Sequence, residues 1–216
     1  MLDWQAIDTV LLDMDGTLLD LHFDNFFWRQ HVPRRYAELH GIPLADAHAD
    51  LAGRYQRHLG TLNWYCVDFW SRELQLDIAR LKTEVQHLIA IHPQVPEFLQ
   101  AIRAAGKRVA LVTNAHHKSL TLKMQCTRLD IHFDAMITSH QIGLPKEHPD
   151  FWHALQSTEP YDPARTLLVD DSLPVLRSAQ SYGIAHLLAI YKPDSKEECK
   201  DVEEFRAIAG FDEIMP

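Results

Sequence analysis

A short β-branched and aliphatic run, Thr9-Val10-Leu11-Leu12, passes without interruption into Asp13-Met14-Asp15-Gly16-Thr17, and the same pattern returns twice downstream. Arg108 to Val112 ends in Thr113-Asn114, and Thr166 to Val169 ends in Asp170-Asp171-Ser172. Each apolar run reads as a buried strand and each polar sequel as a loop at its carboxyl end. Ala135 to Thr138 and His186 to Ile190 read as further strands. Helical spacing separates them, over Pro96 to Ala105 with Gly106 as the stop, Ser119 to Leu129, and Leu173 to Tyr182. Strands alternating with helices predict an α/β chain, a Rossmann-like parallel sheet covered on both faces. In open sheets of this kind ligands bind outside the carboxyl ends of the strands.

The pattern changes between Leu18 and His92, where helical segments rich in aromatic residues replace the strands. At 216 residues the chain has room for one ordinary domain of ~150 residues plus an insertion. The predicted organisation is an α/β core from residues 1–17 and 93–216, with an inserted helical cap over 18–92. Tyr65 and Phe69, four apart, predict an amphipathic helix with one aromatic face that extends to Arg72 and Glu73. Most of these aromatic side chains are expected to pack a small core of the insertion's own. The acidic stretch from Asp194 to Glu204 reads as a solvated helix and loop.

Composition excludes several classes of partner. Twenty-one basic side chains against 30 acidic ones give a net charge of −9, a field that repels nucleic-acid backbones and anionic lipid. Apolar runs such as Val109 to Val112 fall far short of the ~18 residues needed to cross a bilayer. The start, Met1-Leu2-Asp3-Trp4-Gln5, lacks the basic and apolar regions of a targeting peptide, so the expectation is a cytoplasmic protein. Cys66, Cys126 and Cys199 lie far apart with no C-x-x-C pair, and read as ordinary thiols. His116-His117 is the single adjacent histidine pair, and most of the 14 histidines read as solvated or structural. Monomer and homodimer both remain open.

Asp13 and Asp15 lie two apart after one strand, and Asp170 and Asp171 follow another. Singly, such residues are common turn formers and helix caps. If the two strand ends are neighbours, up to four carboxylates converge, and their mutual repulsion calls for a cation. Oxygen-only ligands select a hard ion, for which Mg²⁺ held by carboxylates, water and a phosphate is the expected case.

Asp13-Met14-Asp15-Gly16-Thr17, Val112-Thr113-Asn114, Lys146 after Gly143-Leu144-Pro145, and Val169-Asp170-Asp171-Ser172 resemble the four ordered motifs of the haloacid dehalogenase superfamily. The resemblance runs from Val10 to about Ile190. Family members often read K-P-x-P after the lysine, where this chain has Lys146-Glu147-His148-Pro149-Asp150. The resemblance implies a Mg²⁺-dependent phosphomonoester hydrolase working through an aspartyl-phosphate, with Asp13 as nucleophile and Asp15 as general acid and base. It also implies that Thr113 and the Asn114 main chain hold phosphoryl oxygens, and that Lys146 supplies a positive charge to both nucleophile and phosphate. The implied metal ligands are an Asp13 oxygen, the Asp15 carbonyl and Asp171, with Asp170 direct or through water. Members that cleave carbon–halogen bonds lack the second aspartate, so Asp15 favours phosphoryl transfer over dehalogenation.

Three further stretches, Leu19 to Trp28, Thr61 to Cys66, and Pro145 to Glu147 with Phe151-Trp152-His153-Ala154, resemble a bacterial subgroup of GMP/IMP 5′-nucleotidases. The implied substrate is a purine nucleoside monophosphate. Phe27, Trp28, Trp64 and Tyr65 are candidates to stack on the base, with Arg29, Arg54 or Arg57 as hydrogen-bond donors. The alternatives are a sugar-phosphate phosphatase, a β-phosphoglucomutase-like phosphotransferase, and a non-catalytic binding module on the same fold.

Overall fold

The computed structural model describes residues 2–216. Six parallel strands form one sheet, β1 (Thr9–Leu12), β2 (Arg108–Thr113), β3 (Ala135–Thr138), β4 (Thr166–Asp170), β5 (His186–Ile190) and β6 (Ala207–Ile208), in the order β3-β2-β1-β4-β5-β6. The strand order reverses at β1, the switch point at which open α/β sheets bind ligands. Continuous burial of β1, and of β2 beyond Arg108, follows from helices covering both faces. One apolar cluster lies on each face, the first around Val10, Leu12, Phe98 and Val109, the second around Leu11, Ala110, Phe151 and Leu168.

A third cluster is built from residues between Phe23 and Val85, with Phe27, Leu51, Trp70 and Ile78 at its centre. The helices that form it include Val32–His40, Leu44–His58, Val67–Leu74 and Ile78–Glu84. The chain enters and leaves this region side by side, with an antiparallel bridge between Leu19 and Ile91. Among the described residues no helix is long and apolar enough to cross a membrane.

Two sequence expectations need correction. Tyr65 and Phe69 do not share a helix, because the chain breaks at Cys66, whose extended backbone (φ −85°, ψ 108°) separates Leu62–Tyr65 from Val67–Leu74. The Cys66 sulfur accepts from the Phe69 amide and caps the second helix. The tail from Asp194 to Glu204 forms no helix. Its side chains compete with helical hydrogen bonding, Asp194 accepting from the Lys196 amide at 2.8 Å and Asp201 from the Glu203 amide at 2.9 Å. Asp194 is also buried rather than solvated, accepting from the Asn25 amide group at 2.7 Å. After this stretch the chain adds β6 to the sheet.

Candidate active site

Strand register assembles the first part of the site. Leu12 lies level with Val169 on β4 and with Leu111 on β2. The next residues, Asp13 and Asp170, therefore leave adjacent strand ends on the same side of the sheet. The Lys146 ammonium sits between them, 2.5 Å from Asp13 Oδ1 and 2.6 Å from Asp170 Oδ2, and its third hydrogen goes to the Val112 carbonyl at 3.0 Å. All three charged residues are at most 5% exposed, so the ammonium is fully paired in a dry setting. The Lys146 amide is held by Asn114 Oδ1 at 2.9 Å, which fixes the loop that carries it. At the end of β2, Thr113 is buried and its Oγ1 accepts from the Ala115 amide at 3.0 Å, leaving the hydroxyl hydrogen free to donate elsewhere.

Gly16 permits the closest approach in this cluster. Its φ of +84° favours glycine, and a Cβ there would lie 2.8 Å from Asp171 Cγ. One oxygen from each of Asp13, Asp170 and Asp171 lies within 4.8 Å of the other two. Lys146 offsets two of these carboxylates, whereas among the described residues Asp171 pairs with Lys200 Nζ alone, at 3.9 Å. Burial, then repulsion from Asp170 and Asp13, pushes the Asp171 carboxyl up to about 8. Burial also lifts Asp13 to about 6 against the pull of Lys146. An under-compensated, oxygen-only donor set is what a small hard cation such as Mg²⁺ requires.

This imbalance has a thermodynamic consequence for the metal-free protein. Folded Asp171 keeps its proton up to about pH 8, whereas an unfolded aspartate loses it near ~3.9, so the folded state binds more protons in between. The stabilising contribution is complete below ~pH 4 and lost as the pH rises through 8. Lowering the pH from 8 to about 6.5 in EDTA should therefore raise the urea midpoint, as the unfolding free energy grows by at most about 1.4 kcal/mol per pH unit. Below about 6.5 the buried His116 and the half-buried His140, both depressed by burial first, act in the opposite sense. A midpoint that falls between pH 8 and 6.5 would contradict the charge imbalance.

Asp15 belongs to a second ionic group that sequence reading missed. Lys123 Nζ lies 2.6 Å from Asp15 Oδ1 and 2.5 Å from Asp24 Oδ2, and Lys82 Nζ lies 2.8 Å from Asp24 Oδ1. Here two cations balance two carboxylates. Burial pushes Asp15 up to about 6 against the pull of Lys123, with Asp24 and Asp13 adding to the rise. Burial would raise Asp24 as well, but Lys123 and Lys82 together hold it well below the ordinary carboxylate range. Lys82 also rests over the Phe27 ring at 4.5 Å. One sequence signal for this group exists, a lysine at position 123 among the buried Leu120 and Met124 of one helix.

Above the strand ends opens a cavity of about 480 Å³. Its floor carries Asp13, Asp15, Thr113, Lys146 and Asp171, and its upper wall carries Trp28, Tyr55, Trp64, Tyr65 and Trp70. Tyr55 packs edge-on against Trp28, Trp64 and Trp70 at 5.8, 5.9 and 5.1 Å between centroids. Of the expected base-reading residues, Phe27 is fully buried and does not line the cavity. Arg29 lines it and pairs with Glu197, whereas Arg54 is turned to Asp50 and Glu73 at 3.1 and 3.0 Å. Arg57 is exposed and away from it. Glu147, at the position where related motifs often carry proline, accepts from Asn114 and from the Tyr65 hydroxyl, each at 2.9 Å. It ties the helical wall to the floor.

Comparison with known proteins finds the haloacid dehalogenase-like hydrolase family model matching residues 7–183. The chain is 39% identical over 213 residues to the GMP/IMP nucleotidase YrfG of Escherichia coli, covering 99% of this chain and 96% of that protein. It is 22% identical over 194 residues to a phosphorylated carbohydrates phosphatase of Thermotoga maritima, covering 85% of each. A solved HAD phosphatase from Thermococcus onnurineus superimposes with a TM-score of 0.79 at 22% identity, covering 96% of this chain and 95% of its own.

Proposed function

The chain belongs to the haloacid dehalogenase-like hydrolase family, and from that premise we propose that it hydrolyses purine nucleoside 5′-monophosphates through a phosphorylated Asp13. One observation carries the reading. A charged floor of Asp13, Lys146, Asp170, Asp171 and Asp15 faces a wall of tryptophan and tyrosine across a single cavity. Charged phosphate chemistry and a planar, stackable leaving group would each meet matching surfaces there. The 39% identity to a GMP/IMP nucleotidase over nearly the whole chain supports the same substrate class.

In this reading Asp13 attacks phosphorus, forming a P–O bond to its carboxylate while the bond to the nucleoside oxygen breaks. Asp15 gives its proton to that departing oxygen, then takes one from the water that releases inorganic phosphate. The value of about 6 suits it to both tasks near neutral pH. Lys123 holds the Asp15 carboxylate in place from below. Thr113 donates its hydroxyl hydrogen, and the main chain of Asn114 its N–H, to phosphoryl oxygens. Lys146 neutralises charge that builds between nucleophile and phosphate. Asp13, the Asp15 carbonyl, Asp171 and Asp170 would hold Mg²⁺, which when bound offsets the surplus negative charge and helps orient the phosphate. The helical region 18–92 acts as a cap that excludes water and contacts the nucleoside.

Phosphate release from GMP, IMP, other 5′-nucleotides, FMN and sugar phosphates tests the substrate class. GMP and IMP should give the highest kcat/KM, and a preference for sugar phosphates would discard the nucleotide reading while leaving the chemistry intact. EDTA should abolish release and added Mg²⁺ restore it. Undiminished hydrolysis in EDTA would overturn the role given to the acidic cluster.

A further inference from the structure

Beside the catalytic cavity, three side chains from separate stretches of chain meet outside the acidic cluster. Cys66 comes from the break between two helices of the region 18–92, His116 from the loop after β2, and His140 from the turn Ser139–Ile142 that follows β3. One ligand atom of each lies within 4.8 Å of the other two. The His116 and His140 rings stand edge-to-face, 4.8 Å between centroids. Both ring nitrogens of His140 are sealed from solvent, and neither has a hydrogen-bond partner among the described residues. A buried donor and acceptor left unpaired is unfavourable, and such groups in folded proteins ordinarily have a partner.

We propose that Cys66, His116 and His140 form a binding site for a borderline transition-metal ion of the Zn²⁺ class, distinct from the acidic cluster and joining the helical region to the sheet. One sulfur and two imidazoles select such an ion over Mg²⁺, the reverse of the carboxylate preference. Both histidines are suited to ligation. Burial first, then the neighbouring His117 and His140, holds His116 down to about 4, and burial then His117 also lowers His140, so both rings are neutral at pH 7. The Phe69 amide already points at the Cys66 sulfur at 3.3 Å, a contact that a thiolate strengthens. Binding exchanges the Cys66 thiol proton for the ion, one proton released per metal. His116 has one weak internal bond, from the Lys118 amide to Nδ1 at 3.3 Å, which ligation replaces because a neutral imidazole has a single acceptor nitrogen. Water would complete four-coordination. Cys66 follows Tyr65, which bonds Glu147, so the ion would add a further fastening between the helical region and the sheet.

The test uses Co²⁺ as a spectroscopic stand-in, with Mg²⁺ in excess and the exposed thiols removed by Cys126→Ser and Cys199→Ser. That protein should take up one Co²⁺ with a near-ultraviolet thiolate-to-cobalt absorption and the visible bands of four-coordinate cobalt, and one equivalent of Zn²⁺ should remove both. Adding Cys66→Ser should eliminate the thiolate absorption, and His140→Ala should weaken Zn²⁺ binding at least ~10-fold. Circular dichroism identifies any variant that misfolds, and the other variant then decides. No thiolate absorption in the parent, its persistence after Cys66→Ser, or unchanged Zn²⁺ affinity after His140→Ala would each overturn the site. None of these readouts depends on the phosphatase reaction, so the site and the proposed function fail separately.

Discussion

Asp13→Asn protein should release phosphate at a rate lower by on the order of 10⁴-fold or more, while remaining folded. The amide has the size of the carboxylate but is a poor nucleophile, so the covalent step is lost and no cavity is created. Lys146 would still reach the asparagine oxygen and would keep Asp170 at 2.6 Å, so its charge stays compensated. An unchanged circular dichroism spectrum alongside the kinetic loss separates chemistry from folding. Turnover within ten-fold of the parent would remove Asp13 from the role of nucleophile.

Asp15→Asn should lower turnover by ~10²- to 10⁴-fold, the ordinary contribution of a general acid and base. The two effects of the change are separable. A substrate with a good leaving group, such as p-nitrophenyl phosphate, needs little protonation and should still phosphorylate Asp13, but the water step would stall. The expected signature is a burst of one equivalent of p-nitrophenol followed by slow turnover. Mg²⁺ binding, measured by calorimetry, should survive, because only the main-chain carbonyl of residue 15 is assigned to the metal. Lost Mg²⁺ binding would contradict that division of roles. Lys123 would retain Asp24 as its partner, so the buried cation is not abandoned.

Much of the sheet was legible because buried parallel strands are short apolar runs, and their polar sequels mark the carboxyl edge. β1 and β5 and the helix Leu173–Tyr182 have the bounds read from the sequence, whereas β2 and β4 each run one residue further, taking in Thr113 and Asp170. The helix Phe151–Thr158 and β6 were not read as elements. β6 is two residues long and gains its place from pairing with Ala189 and Ile190, a long-range effect with no local signature.

The two ionic groups differ for the same reason. Asp13 and Asp170 converge because register between adjacent strands fixes them, and that register follows from the topology. Lys123, Asp24 and Lys82 meet across the junction of helical region and sheet, from positions 99 and 58 residues apart in sequence. No spacing rule encodes such a meeting. The break at Cys66 was hidden by the i, i+4 spacing of Tyr65 and Phe69, which fits a helix until the sulfur cap intervenes. Arg54 shows the complementary limit, since a nearby Asp50 and Glu73 claim the guanidinium that the sequence offered to the substrate.

The covalent role of Asp13 is tested most directly by a crystal structure with Mg²⁺ and beryllium trifluoride, a mimic of the transferred phosphoryl group. The expected result is beryllium bonded to an Asp13 oxygen, with fluorines received by Lys146 and Thr113 and the metal against Asp171. A fluoride complex bonded to Asp15, or bound away from both residues, would contradict it.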